Sequence, residues 1–146
     1  MTARIDNAFA LAPDAIKAMY ALEGAIKHSG LEASLLHLVK MRASQINHCA
    51  FCIEMHSREA RAQGESELRL YMLSAWRESP LFTERERAAL TWTESLTLVA
   101  DSNATDADFA VVDAAFTQAE IVYLSMAIAA INAWNRLQVG FRAPHA

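Results

Sequence analysis

An all-α fold follows from three features of the 146-residue sequence. Alanine, the strongest helix former, occupies 29 positions, whereas the helix breakers number only 4 Gly and 3 Pro. Apolar residues recur every three or four positions, and runs of alternating β-branched residues, the mark of strands, are absent. Two capping-box patterns, Thr83-Glu84-Arg85-Glu86 and Thr117-Gln118-Ala119-Glu120, announce helix starts in the second half. The connections between helical segments are short. The expectation is therefore a single all-α domain over residues 1–146, built from about six to seven helices.

The elements follow in order. Pro13 suits a first helical position, and Ile16, Met19, Tyr20 and Leu22 give apolar spacing to about His28, with Gly30 as a terminator. Glu32 to about Ile46 carries Leu35, Leu36, Val39 and Ile46. Asn47 reads as the N-cap of a third helix that reaches about Gln63, closed by Gly64. Ser66 is placed to cap a helix over Leu68–Ser79, and Pro80 falls in a linker. The first capping box opens a helix to about Val99. The segment Asp101–Asp106 is polar and reads as an exposed loop, and Thr105 to about Phe116 is a shorter helix. The second capping box opens a long apolar helix to about Val139.

Composition narrows the function classes. At 53% hydrophobic and 21% charged, the chain can sustain a core without disulfide staples. A net charge of −4 with no Lys/Arg cluster gives no reason to expect nucleic acid or an anionic membrane as partner. The N-terminal residues lack the apolar run of a signal peptide, and the most apolar stretch, Ile121–Ala133, is shorter than the roughly 20 residues of a bilayer span. A cytoplasmic location is expected. In a reducing compartment a cysteine pair points to catalysis or metal binding rather than to a staple.

That pair carries the chemistry. In Cys49-Ala50-Phe51-Cys52-Ile53-Glu54-Met55-His56 the two cysteines are three apart, and His56 follows Cys52 by four. On a continuous helix the three side chains fall within about 60° of one face. With Asn47 as N-cap, Cys49 occupies the first turn, where unpaired N–H groups and the helix dipole favour a thiolate. His56 can take or return a proton. Three readings fit these residues. One is a redox-active dithiol. Another is a zinc site completed by His56 and either His37 or His48. The third is two small buried residues with a surface histidine. The cysteine logic favours the first.

The segment Leu38-Val39-Lys40-Met41-Arg42-Ala43-Ser44-Gln45-Ile46-Asn47-His48-Cys49-Ala50-Phe51-Cys52, followed by His56, resembles the active-site segment of the AhpD-like alkylhydroperoxidases, part of the wider carboxymuconolactone decarboxylase family. The resemblance continues through Glu84–Glu94 and Ile131–Arg136. It implies an all-α fold assembling as trimers or hexamers. It also implies a cofactor-free reduction of peroxides by a dithiol–disulfide cycle, with a thiol or dithiol as electron donor. By the same resemblance, Cys52 attacks the peroxide, Cys49 resolves the sulfenic acid and His56 belongs to a proton relay. The helix-start argument instead favours Cys49 as the more acidic thiol, so the two lines of reasoning differ on which sulfur meets peroxide.

One departure stands out. Twelve residues before the first cysteine the family pattern has a Glu, and this chain has His37. An imidazole can pass a proton but supplies no negative charge to hold a partner imidazolium. His37 therefore enters the candidate site with Cys49, Cys52 and His56. The alternatives carried forward are a decarboxylase-like enzyme acting on a lactone acid and a non-catalytic zinc-binding or oligomeric scaffold.

The remaining conspicuous residues read as structural. His48 reads as an exposed loop residue and Phe51 as packing. Trp76, Trp92 and Trp134 read as packed indoles, each needing an N–H partner. Asn132 and Asn135 interrupt the apolar helix and are expected to hydrogen-bond a neighbouring element. The Glu84–Arg87 run reads as a solvated helix start. Met19, Met41, Met55, Met72 and Met126 read as core filler.

Overall fold

The computed structural model describes residues 2–145. Among these residues are eight α-helices and no strand: α1 (Pro13–Lys27), α2 (Ala33–Ile46), α3 (Ala50–Ala62), α4 (Glu67–Met72), α5 (Glu84–Thr97), α6 (Val99–Ser102), α7 (Asp106–Asp113) and α8 (Gln118–Phe141). No single helix among the described residues is long and apolar enough to cross a membrane.

Local chemistry accounts for most of the boundaries. Both capping boxes form: the Thr83 and Thr117 hydroxyls accept from the N–H of Glu86 and Glu120, whose carboxylates accept from the cap N–H groups in return. Pro13 occupies the first turn of α1, with Asp14 at its positive end and Lys27 at its negative end. Gly64, at φ +91°, follows the end of α3 in the conformation only glycine enters freely.

Four expectations are corrected. The helix expected over Leu68–Ser79 is shorter and tightens after Met72 into a 3-10 turn, Leu73–Ala75. Ser66 precedes it without a side-chain cap bond. Part of the expected loop is the short helix α6, ended by Asn103 and Ala104 at positive φ. In the Glu84–Arg87 run only Glu84 is exposed as expected, while Arg85, Glu86 and Arg87 are half-buried. Arg85 reaches Glu32 and Glu120, Arg87 donates to the Trp76, Arg77 and Ser79 carbonyls, and Glu86 pairs with Arg69. These side chains tie the start of α5 to four other segments.

α2 is the central element and packs against α3, α5 and α8. Leu35, Leu36, Leu38, Val39 and Met41 are buried along it. Each such side chain stabilises the fold by roughly 1.5–3 kcal/mol on transfer from water. One apolar cluster joins α2 to α5, α7 and α8 around Val39, Ala89, Val112, Leu124 and Ile128. A second joins its other side to Ala60, Leu73, Trp76 and Leu90. Glu94 lies beside that second cluster. Burial alone would push its carboxyl up, but hydrogen bonds from Trp76, Arg42 and Arg77 outweigh burial and hold it below the usual carboxylate range.

The three indole N–H groups all find partners, in Glu94, Ser125 and Glu23 for Trp76, Trp92 and Trp134 respectively. Met41 is buried as expected, whereas Met55 and Met126 are exposed. Their helices turn those positions toward the surface.

Candidate active site

Cys49 and Cys52 are joined by a disulfide, with Cα atoms 5.3 Å apart and each residue only 1% exposed. The turn that presents them differs from the sequence expectation. Asn47 ends α2 rather than capping α3. His48 takes a left-handed backbone, φ 53°, which reverses the chain, and Cys49 itself is the N-cap of α3. Its Sγ accepts from the Cys52 N–H at 3.3 Å.

Instead of capping α3, the Asn47 side chain is turned toward α8. Its Nδ2 donates to Asn132 Oδ1 and to Asn135 Oδ1, both at 2.9 Å. Asn135 Nδ2 in turn donates to Ser44 Oγ, and Asn132 Nδ2 to Thr97 Oγ1. The two asparagines in α8 thus have the structural role expected of them, and the turn before Cys49 is fixed to α8.

His56 lies one helical turn beyond Cys52 and is buried. Its Nδ1 is 3.1 Å from Glu59 Oε2. A carboxylate only accepts, so Nδ1 carries the hydrogen, and in the neutral ring Nε2 is the bare, basic nitrogen. That Nε2 is buried with no hydrogen-bond partner among the described residues. Burial pushes the His56 pKa down, opposed by the Glu59 hydrogen bond and charge, while Lys40 and His37 push it lower still. His56 is accordingly a neutral base near pH 7.

Cys52 and His56 open into a cavity of about 330 Å³, within the range of small-molecule pockets. Its apolar walls are Phe9, Tyr20, Phe51, Met55, Ile131 and Trp134. Phe9 and Tyr20 pack their rings 5.4 and 5.5 Å from that of Trp134. One side is polar: Lys40 pairs with Glu23 at 2.6 Å, and Glu23 also accepts from Trp134 Nε1.

The structure therefore brings Cys49, Cys52 and His56 together. His37 does not line the Cys52 pocket, although its charge reaches His56: half-buried on α2, it lines two other cavities, one of which shares Glu23, Lys40 and Glu59 with the Cys52 pocket. Its Nδ1 is buried without a hydrogen-bond partner among the described residues. His48 is exposed, as expected. Phe51 does more than pack, since it lines the Cys52 pocket. Among the described residues no group of three His, Cys, Asp or Glu side chains is gathered to hold a metal.

The carboxylate beside His56 escaped sequence reasoning. Glu59 is three residues beyond His56 on one helix, a spacing at which side chains meet, and that signal was present in the sequence. Glu23, Tyr20, Phe9 and Trp134 had no such local signal, because they reach the pocket from other parts of the chain.

A family model for the carboxymuconolactone decarboxylase family matches residues 13–95. The uncharacterised protein YdfG of Bacillus subtilis is 37% identical over 131 residues, covering 90% of this chain and 89% of that one. Among solved structures, a protein of unknown function from Agrobacterium tumefaciens, for which an antioxidant-defence role of AhpD type has been suggested, is 48% identical with a TM-score of 0.95. That match covers 99% of both chains. The debrominase Bmp8 shares the fold, at TM-score 0.85 and 17% identity over 94% of this chain and 74% of its own.

Proposed function

Because this chain belongs to the carboxymuconolactone decarboxylase family, as an AhpD-like member of it, we propose that it is a thiol-dependent peroxidase that reduces organic hydroperoxides through the Cys49/Cys52 pair. The observation that carries this reading is the shared pocket: the Cys52 sulfur and a neutral, buried histidine face one apolar cavity. The Cys52 thiol gives its proton to His56 Nε2, and the thiolate attacks the outer peroxide oxygen. The O–O bond breaks, His56 returns the proton to the departing alkoxide, and Cys52 is left as sulfenic acid. Cys49 attacks that sulfur, water leaves and the disulfide forms. Two donor thiols then restore the dithiol, giving ROOH + 2 R′SH → ROH + H₂O + R′SSR′.

On this reading Cys52 is the sulfur that meets peroxide. The helix start does favour a thiolate on Cys49, through the Cys52 N–H, but that suits the resolving step. The peroxide pocket and the base belong to Cys52. Glu59 supplies the negative charge that His37 cannot. It holds the His56 tautomer and stabilises the imidazolium while the proton is in transit. Glu59 is half-exposed, so it also connects the buried ring to solvent.

The test is thiol counting. Reduced protein given one equivalent of cumene hydroperoxide is expected to lose two thiols per chain without forming a covalent dimer. Retention of both thiols would refute the redox reading.

A cytoplasmic location and self-association are part of the same proposal. Val122, Tyr123 and Met126 leave one face of α8 apolar and exposed, with Phe109 of α7 exposed as well. Such a surface suits a second copy of the chain. Light scattering at micromolar concentration is expected to give a multiple of the 16.1 kDa chain mass, in line with the trimer or hexamer implied by the family resemblance. A single-chain mass would contradict it.

A further inference from the structure

The disulfide is approached from two separate cavities. The pocket of about 330 Å³ is lined by Cys52 and not by Cys49. A second cavity, of about 370 Å³, is lined by Cys49 and not by Cys52. Phe51 and Gln138 line both and so form the partition between them.

The two differ in charge. The Cys52 side is walled by aromatic and aliphatic residues, with the Lys40–Glu23 ion pair and the Glu59 carboxylate on its polar side. The Cys49 side is lined by Arg4, His48, Arg142 and His145, all of them solvent-exposed. Among the described residues no carboxylate lines it. Glu54, from α3, pairs with His145 at 3.5 Å, so the permanent positive charge lining the cavity is that of Arg4 and Arg142. The placement is fixed by the fold: the Arg4 backbone N–H donates to Phe141 O and its guanidinium to Gly140 O, so the N-terminal segment is held against the end of α8.

We infer that the Cys49 cavity is the entry for the electron donor, and that it selects a small thiol bearing negative charge, such as a mercaptocarboxylate. The inference rests on the disulfide cycle proposed above. Cys49 is nearly fully buried, so the donor sulfur must enter the cavity to reach it, which suits a small molecule. The donor thiolate attacks Cys49 Sγ, the S–S bond breaks and Cys52 leaves as a thiolate beside His56. A second donor thiolate attacks the donor sulfur of the mixed disulfide and displaces Cys49. Two donor thiolates are oxidised to R′SSR′, the cysteines are reduced by two electrons, and the two donor protons end on the cysteines. The Cys52 N–H that bonds Cys49 Sγ eases the second displacement by stabilising Cys49 as the leaving group. Oxidant and reductant then need not compete for one opening.

The test uses the oxidised protein and contains no peroxide. Its reduction is timed with 3-mercaptopropionate, 2-mercaptoethanol and 2-mercaptoethylamine, which are anionic, neutral and cationic. Each rate is divided by the rate of the same thiol with a small neutral disulfide at the same pH, which removes both thiolate fraction and intrinsic nucleophilicity. At low ionic strength the anionic thiol is expected to lead the neutral one by about tenfold, with the cationic one slowest, and added salt to compress the order. Arg4→Gln combined with Arg142→Asn should bring the anionic-to-neutral ratio toward one. Asn tolerates the left-handed backbone of Arg142, φ 57°, so this pair removes charge while keeping the turn. Equal rates for the three thiols, or a ratio untouched by the double variant, would overturn the inference. A charge-blind reduction in a protein that consumes peroxide would sink only this inference. A missing peroxide reaction would sink the peroxidase reading and leave this measurement intact.

Discussion

Cys52→Ser is expected to abolish peroxide consumption, whereas Cys49→Ser should consume a single equivalent and stop. The asymmetry follows from the pocket, because only Cys52 shares the 330 Å³ cavity with His56. In Cys49→Ser the oxidised sulfur has no internal partner and remains a sulfenic acid, which a carbon nucleophile such as dimedone can trap and mass spectrometry can place on Cys52. In Cys52→Ser the remaining thiol lies on the far side of Phe51, away from the base, and should react no faster than an ordinary free thiol. A sulfenic acid trapped on Cys49 at the wild-type rate would reverse the assigned order.

The second large effect concerns His56. His56→Gln is expected to slow disulfide formation by about 10²–10⁴-fold at neutral pH, the usual contribution of a general acid–base group. In the wild type the His56 pKa is depressed, chiefly by burial. The acid limb of the rate profile therefore falls below about pH 6.5, the ordinary histidine value. Beside burial, the groups that set it are Glu59 on the same helix and Lys40 and His37 on α2. Glu59→Gln removes the contact that raises the pKa, so the limb should move to lower pH and the plateau rate should drop as Nε2 becomes a weaker base. Glu59→Asp should restore part of both. Stability shares this dependence. As pH falls below about 6.5 the unfolded chain binds a proton at this histidine before the folded one does, so stability declines in that window and is unaffected above it. That slope should be absent from His56→Gln. Superimposable profiles for wild type and Glu59→Gln would remove Glu59 from the relay.

Much of the fold was legible because its signals are local. Thr83 and Thr117 form the capping boxes that their spacing announced, and Pro13 and Gly64 mark the boundaries expected of them. The cysteine pair and His56 were legible for the same reason, since one short segment of chain carries them all. The turn at Asn47 was misread because its residue type suits a cap, while its actual partners lie 85 and 88 residues away. The 84–87 run was misread because charged residues at a helix start are ordinarily solvated. Here, Arg85 and Arg87 are used to join segments that meet only in the folded chain. Glu59 was legible in principle from its spacing to His56. The pocket walls from Phe9, Tyr20 and Trp134 were not, because no local pattern distinguishes a residue facing a cavity from one facing the core.

The grip of Asn47 on α8 bears on the order in which the molecule acquires its reactivity. The cysteines belong to the third helix, but the turn that aims them is closed by Asn132 and Asn135, far along the chain. The contacts are of high sequence separation, and such contacts form only after the intervening loop has been closed against its entropy. A folding chain with α1 to α3 already helical would thus hold two ordinary thiols, without the turn that sets Cys49 at its cap or the Ile131 and Trp134 walls of the pocket. Reactivity would arrive with the docking of α8. The protein would then be spared oxidation at a half-built centre, and thiol reactivity during refolding would report that one docking event.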